Sequence, residues 1–127
     1  MIIGIGTDIV EVERVASKIQ KKEFTEKVFS KAEIEYCESM PNKAQHYAAR
    51  FSAKEAFLKA SGKGLQLTHE LNEIEITQTP EGAPKLKLSG KLASHYLQEN
   101  WVIHVSLSHV AQMACATVVI ESKIEVA

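Results

Sequence analysis

Two cysteines in 127 residues, Cys37 and Cys115, leave this chain without a disulfide framework. Neither has a neighbouring Cys or His at ligand distance, so a zinc site is not expected and a reducing, cytoplasmic setting is. Basic residues are in no excess: 15 Lys and Arg stand against 16 Asp and Glu, a formal net charge of -1. A wholesale nucleic-acid binder usually carries a basic surplus, so nucleic acid is not expected as a partner. One stretch, Trp101 to Ile120, lacks Asp, Glu, Lys and Arg and is nominally long enough to span a bilayer. His104, Ser106, Ser108, His109 and Gln112 interrupt it, however. Its β-branched residues suit two buried strands joined by a polar turn, so no membrane span is expected. Asp8 and Glu11 come too early for a secretory leader, which opens with basic residues before an apolar run.

What is present is ordinary for a globular protein: 45% hydrophobic and 24% charged residues. The length suits one domain, here residues 1–127, able to bury its own core. Met1 to Asp8 reads as a short buried strand, with Ile3 and Ile5 on one face and Gly4 and Gly6 on the other. Asp8 falls where strand gives way to a helix whose apolar stripe is Ile9, Val12, Ala16 and Ile19. Arg14, Lys18 and Lys21 line that helix's opposite face. Ser30 and Glu33 have capping-box spacing for a second helix, ended by Pro41 and Asn42. A third helix runs from about Lys43 to Ala60 and stops at Ser61-Gly62. Glu73 to Gln78 and Lys85 to Leu88 form a hairpin around Pro80, Glu81 and Gly82. A short helix near Leu92 to Gln98 and strands over Trp101 to Leu107 and Met113 to Ser122 complete an α+β fold.

The third helix carries the densest chemistry. Ala48, Ser52, Glu55 and Lys59 share one stripe, where small residues leave room for a bulky ligand beside a carboxylate and an ammonium. The bland alternative is a solvated Glu55–Lys59 pair. Asp8 is by itself readable as a helix N-cap. Together with Glu55 it offers two hard oxygen ligands from separate elements, the set that Mg²⁺ prefers. Ser61 to Gly64 is a helix C-cap and turn, or else a source of backbone N–H groups for a phosphate. Ser106-Leu107-Ser108-His109 ends a strand with three polar groups, without the strained elbow of a serine hydrolase.

Three motifs taken together resemble those of the bacterial holo-acyl-carrier-protein synthases, in the 4′-phosphopantetheinyl transferase superfamily. They are Gly4-Ile5-Gly6-Thr7-Asp8 with Arg14, then Phe51-Ser52-Ala53-Lys54-Glu55-Ala56 with Lys59-Ala60, and last Ser106 to His109. The resemblance covers essentially the whole chain, including the hairpin with Gly82 and Pro84; Ser52 stands where many members carry Ala. It implies an antiparallel sheet with packed helices and a homotrimer with sites where subunits meet. It also implies transfer of 4′-phosphopantetheine from coenzyme A to a serine of apo-acyl-carrier protein. By the same resemblance Asp8 and Glu55 hold Mg²⁺, and Lys59 completes the catalytic set. Arg50, Lys54, Lys59, Gly62, Gly64, Ser108 and His109 contact coenzyme A, with Lys54 alternatively orienting an acid, and Arg14, Lys18 and Lys21 dock the acidic carrier. A coenzyme A- or nucleotide-binding regulatory module that has lost the reaction is the competing class.

Overall fold

The fold is built around one close crossing, seen in a computed structural model that describes residues 1–62 and 71–123. Strand β1 (Ile2–Glu11) lies against helix α4 (Lys43–Ser61). Six alanines among its residues favour the helix, and Gly62 ends it in the left-handed region at φ 79°, its N–H donating to the Lys59 carbonyl. Four helical residues advance about 6 Å and two strand residues about 6.8 Å, so the two elements stay in step. Gly4 meets Ala60 and Gly6 meets Ala56, and Ser52 Oγ donates to the Asp8 carbonyl at 2.8 Å. A Cβ at Gly4 would lie 1.8 Å from the Ala60 carbonyl oxygen. The small residues of α4 thus admit the strand rather than a bulky ligand, correcting that expectation.

β1 pairs antiparallel with β5 (Met113–Ser122), which pairs antiparallel with β4 (Trp101–His109), giving the order β1-β5-β4. The charge-free run is therefore two strands, and among the described residues no helix is long and apolar enough to cross a membrane. A second sheet is the hairpin of β2 (Ile74–Gln78) and β3 (Pro84–Leu88), with Gly82 at φ 91° in its turn. Helix α3 (Lys31–Glu38) starts with the full capping box: Glu33 N–H donates to Ser30 Oγ, and Ser30 N–H donates to Glu33 Oε1. Helix α5 (Gly90–His95) and a 3₁₀ turn (Leu97–Glu99) stand where one helix was expected. Tyr47, Phe57, Leu58, Ile74, Val118 and Ile120 are among the side chains that α4, the hairpin and β5 bury together.

The N-terminal third departs from the sequence reading. β1 continues to Glu11, so Asp8 is a mid-strand residue and not a helix cap. The first helix is two: α1 (Val12–Lys18), whose N-cap Glu11 makes no side-chain cap bond, and α2 (Lys22–Val28). Ile3, Ile5 and Ile9 are exposed, because alternation aims them away from α4 on the sheet's outer face.

Candidate active site

Asp8, Glu55 and Lys59 come together at the β1–α4 crossing. The strand pleat that turns Gly4 and Gly6 toward α4 turns Asp8 the same way, and Ser52 fixes the backbone beside it. Lys59 Nζ donates to Asp8 Oδ1 and to the Thr7 carbonyl, both at 3.0 Å. Asp8 Oδ2 is buried without a hydrogen-bond partner. Glu55 is half-buried; burial and then the charge of Asp8 push its carboxyl above the usual carboxylate range, with Lys59 and Lys18 pulling the other way. Two neighbouring carboxylates, one with an orphaned oxygen, suit a hard cation. Among the described residues no group of three Asp, Glu, His or Cys side chains could hold a metal. Asp8 and Glu55 alone would leave most positions around Mg²⁺ to water and phosphate oxygens, which is how that ion is usually held.

Arg50 and His109 meet elsewhere, in a cavity of about 270 Å³ lined also by Tyr36, His46, Gln78 and Ser106. The Arg50 guanidinium sits 4.3 Å from the Tyr36 ring centroid. Its Nη1 donates to the His46 carbonyl at 3.4 Å, and its buried Nε has no partner. His109 Nδ1 lies 2.9 Å from Gln45 Oε1, and its ring is 5.1 Å from that of His46. Burial, then His109 and Arg50, lower the pKa of His46. A planar guanidinium with two imidazoles has the donor chemistry that phosphate oxygens would need. His46, Gln45 and Tyr36 were missed in the sequence; the usable signal was that His46 precedes Arg50 by four on one helix.

Other expected residues are not gathered here. Lys54 is fully buried. Its Nζ donates to Glu33 Oε1 at 2.7 Å, to the Leu71 carbonyl at 3.0 Å and to the Ile74 carbonyl. All three donors are taken inside the core, which leaves none for coenzyme A and gives Lys54 a structural role there. Gly62 has its N–H engaged in the helix cap, leaving none for a phosphate; Gly64 lies outside the described residues. Ser108 is exposed and is not part of the Arg50 cavity. Arg14 and Lys18 are exposed on α1, with Lys18 Nζ 5.7 Å from the Phe24 ring centroid. Lys21 lies beyond that helix, as the N-cap of α2, so the three cations do not form one helical stripe.

Glu55 and Lys59 on α4 stand with Asp8 on the Gly-rich strand as one carboxylate–ammonium cluster, and comparison with known proteins gives its class. The model of the 4′-phosphopantetheinyl transferase superfamily matches residues 4–118. The chain belongs to that superfamily. A protein of Syntrophus aciditrophicus named holo-[acyl-carrier-protein] synthase is 44% identical over 125 residues, covering 95% of this chain and 97% of that one. The crystal structure of a holo-(acyl-carrier-protein) synthase from Bacillus anthracis in complex with CoA (3′,5′-ADP) superposes with a TM-score of 0.81. It is 31% identical and covers 97% of this chain and 99% of its own. That of Helicobacter pylori in complex with coenzyme A is 34% identical, with a TM-score of 0.76, 92% of this chain and 99% of its own.

Proposed function

We propose that this chain transfers the 4′-phosphopantetheine group of coenzyme A to a serine hydroxyl of apo-acyl-carrier protein, releasing adenosine 3′,5′-bisphosphate. The convergence of Asp8, Glu55 and Lys59 at one crossing carries this reading, supported by relatives named for that synthase. The serine hydroxyl gives its proton to solvent, its oxygen forms a bond to the phosphorus that bears pantetheine, and the bond from that phosphorus to the nucleotide-side phosphate oxygen breaks. Asp8 and Glu55 would hold Mg²⁺, which supplies positive charge at the diphosphate when bound. Lys59, half-exposed on a flexible stem, reaches the same diphosphate and offsets charge that builds on its oxygens. Arg50, His46 and His109 receive nucleotide-side phosphate in their cavity. Arg14 and Lys18 present cations to the acidic carrier, and Lys21 adds a third from the neighbouring junction.

The protein works in the cytoplasm as a homotrimer on this reading. Cys37 and Cys115 are both unbonded, and the outer face of β1 exposes Ile5 at 69% and Ile9 at 64%, apolar surface that association would cover. Sedimentation of Ile5→Glu checks the assembly: the expected result is a monomer.

Incubation with coenzyme A, Mg²⁺ and apo-acyl-carrier protein, followed by intact mass of the carrier, tests the reaction. A gain equal to phosphopantetheine is the expected outcome. Coenzyme A binding with no gain would make the chain a binding module instead.

A further inference from the structure

Lys59 and Asp8 form an ion pair in which the two partners differ greatly in freedom. The Asp8 side chain is 15% exposed and fixed in mid-strand, whereas that of Lys59 is 54% exposed at the end of four methylenes. The ammonium bridges Asp8 Oδ1 and the Thr7 carbonyl. It thereby supplies cationic charge to one of the two carboxylates that would otherwise repel one another, and Glu55 also feels it. An ammonium held at 3.0 Å from Asp8 Oδ1 opposes a divalent cation at the same carboxylate, since like charges at that range repel. Relief requires Lys59 to swing to another anion. The stem allows that movement; β1 does not allow Asp8 to make it.

We propose that Lys59 is a resident counter-ion that competes with a divalent metal for Asp8 until a diphosphate draws the ammonium away. The inference rests on the metal reading of Asp8 and Glu55 given above. It makes metal and coenzyme A mutually dependent: each raises the affinity of the other, and by linkage both factors are equal. Free metal alone then loads the site weakly, and Asp8 stays paired with the ammonium in the absence of substrate.

Mn²⁺ titration followed by electron paramagnetic resonance tests this without turnover, in the absence of carrier protein. Wild type, Lys59→Met, Lys59→Gln, Lys18→Met and Asp8→Asn are compared, each with and without coenzyme A, with thermal melts to verify folding. The expected result is Mn²⁺ affinity about fivefold or more above wild type in Lys59→Met without coenzyme A. Coenzyme A should then raise Mn²⁺ affinity less in that variant than in wild type. Lys59→Gln repeats the measurement in an uncharged polar side chain one atom shorter, should the Met variant fold poorly. Lys18→Met removes a charge that Glu55 senses but that does not touch Asp8, and a gain as large as that of the Lys59 variants overturns the proposal. So does an unchanged or weaker Mn²⁺ affinity in both Lys59 variants while Asp8→Asn abolishes binding. Asp8→Asn binding Mn²⁺ as wild type does would overturn the metal reading itself.

Discussion

Gly6 lies so close to Ala56 that a Cβ placed on it would sit 2.1 Å from the Ala56 carbonyl oxygen. The two nearest opposing atoms are helix backbone, which cannot turn aside as the end of a side chain could. This contact, with its repeat at Gly4 and Ala60, sets how far Asp8 stands from Glu55 and Lys59.

Gly6→Ala should therefore push β1 off α4. Overpacking of this kind costs about 1–3 kcal/mol, and more when only backbone can yield. Urea unfolding should show the midpoint fall with little change in slope, and turnover should fall with it. A variant as stable as wild type would mean the crossing is looser than described.

Lys54→Met should be among the most damaging single changes, although it replaces a lysine. It leaves Glu33 buried without its ion partner, a loss of about 3–5 kcal/mol. Glu33→Gln/Lys54→Met should recover part of that loss, because Gln keeps one carbonyl oxygen and carries no stranded charge. Melting temperatures of the two single variants and the double variant check this. Strict additivity would show that the pair is not coupled.

Glu55→Gln should lower turnover about a hundredfold or more while the fold holds. The sign of its effect on stability follows from the raised carboxyl. A folded-state pKa above the unfolded value means the folded protein binds the proton more tightly. The group's stabilising contribution is full below the unfolded pKa and is lost as pH rises through the folded one. At neutral pH the Gln variant should thus match or exceed wild type in thermal stability, and the difference should vanish in acid. Paired melts at pH 4 and pH 7.5, with kcat measured in parallel, read both halves.

Arg14→Glu should raise the carrier's apparent KM and leave that for coenzyme A nearly unchanged, since Arg14 lies on α1 and not on α4. The wild-type carrier KM should itself rise with salt, because exposed charges separated by more than about 8–10 Å are screened at physiological ionic strength. Loss of coenzyme A affinity instead would move Arg14 out of a docking role.

Cys37 should resist alkylation in the native protein. Burial pushes its thiol up to about 12, far from the thiolate that reacts. Peptide mapping after iodoacetamide, with and without urea, should show Cys37 modified only on unfolding.

Elements announced by local signals were legible. The Ser30–Glu33 box starts α3, Gly62 stops α4, and Gly82 turns the hairpin. The end of β1 was not, because Ile9, Val12 and Ala16 have helical spacing although Ile9 belongs to the strand. α2 was missed because Lys21 offers no side-chain cap to announce it. In the site, Asp8, Glu55 and Lys59 were legible as a motif and do converge. Lys54 as a coenzyme A contact was misjudged, because the groups that make its burial tolerable, Glu33 21 positions earlier and the Leu71 and Ile74 carbonyls, all lie outside its own helix. The cavity around Arg50 was half visible, since its other walls come from α3, the hairpin and β4.

The order β1-β5-β4 has a consequence for how the protein is made. During synthesis β1 leaves the ribosome before β5, with everything from α1 to β4 between them. At about 5–20 residues per second the strand waits for several seconds or more without its ladder partner. Helix α4 is available sooner and can cover the glycine face, but Ile3, Ile5 and Ile9 on the opposite face gain nothing from it. A nascent chain stalled before Met113 therefore offers an unpaired, isoleucine-rich strand, the kind of segment that chaperones hold and aggregates recruit.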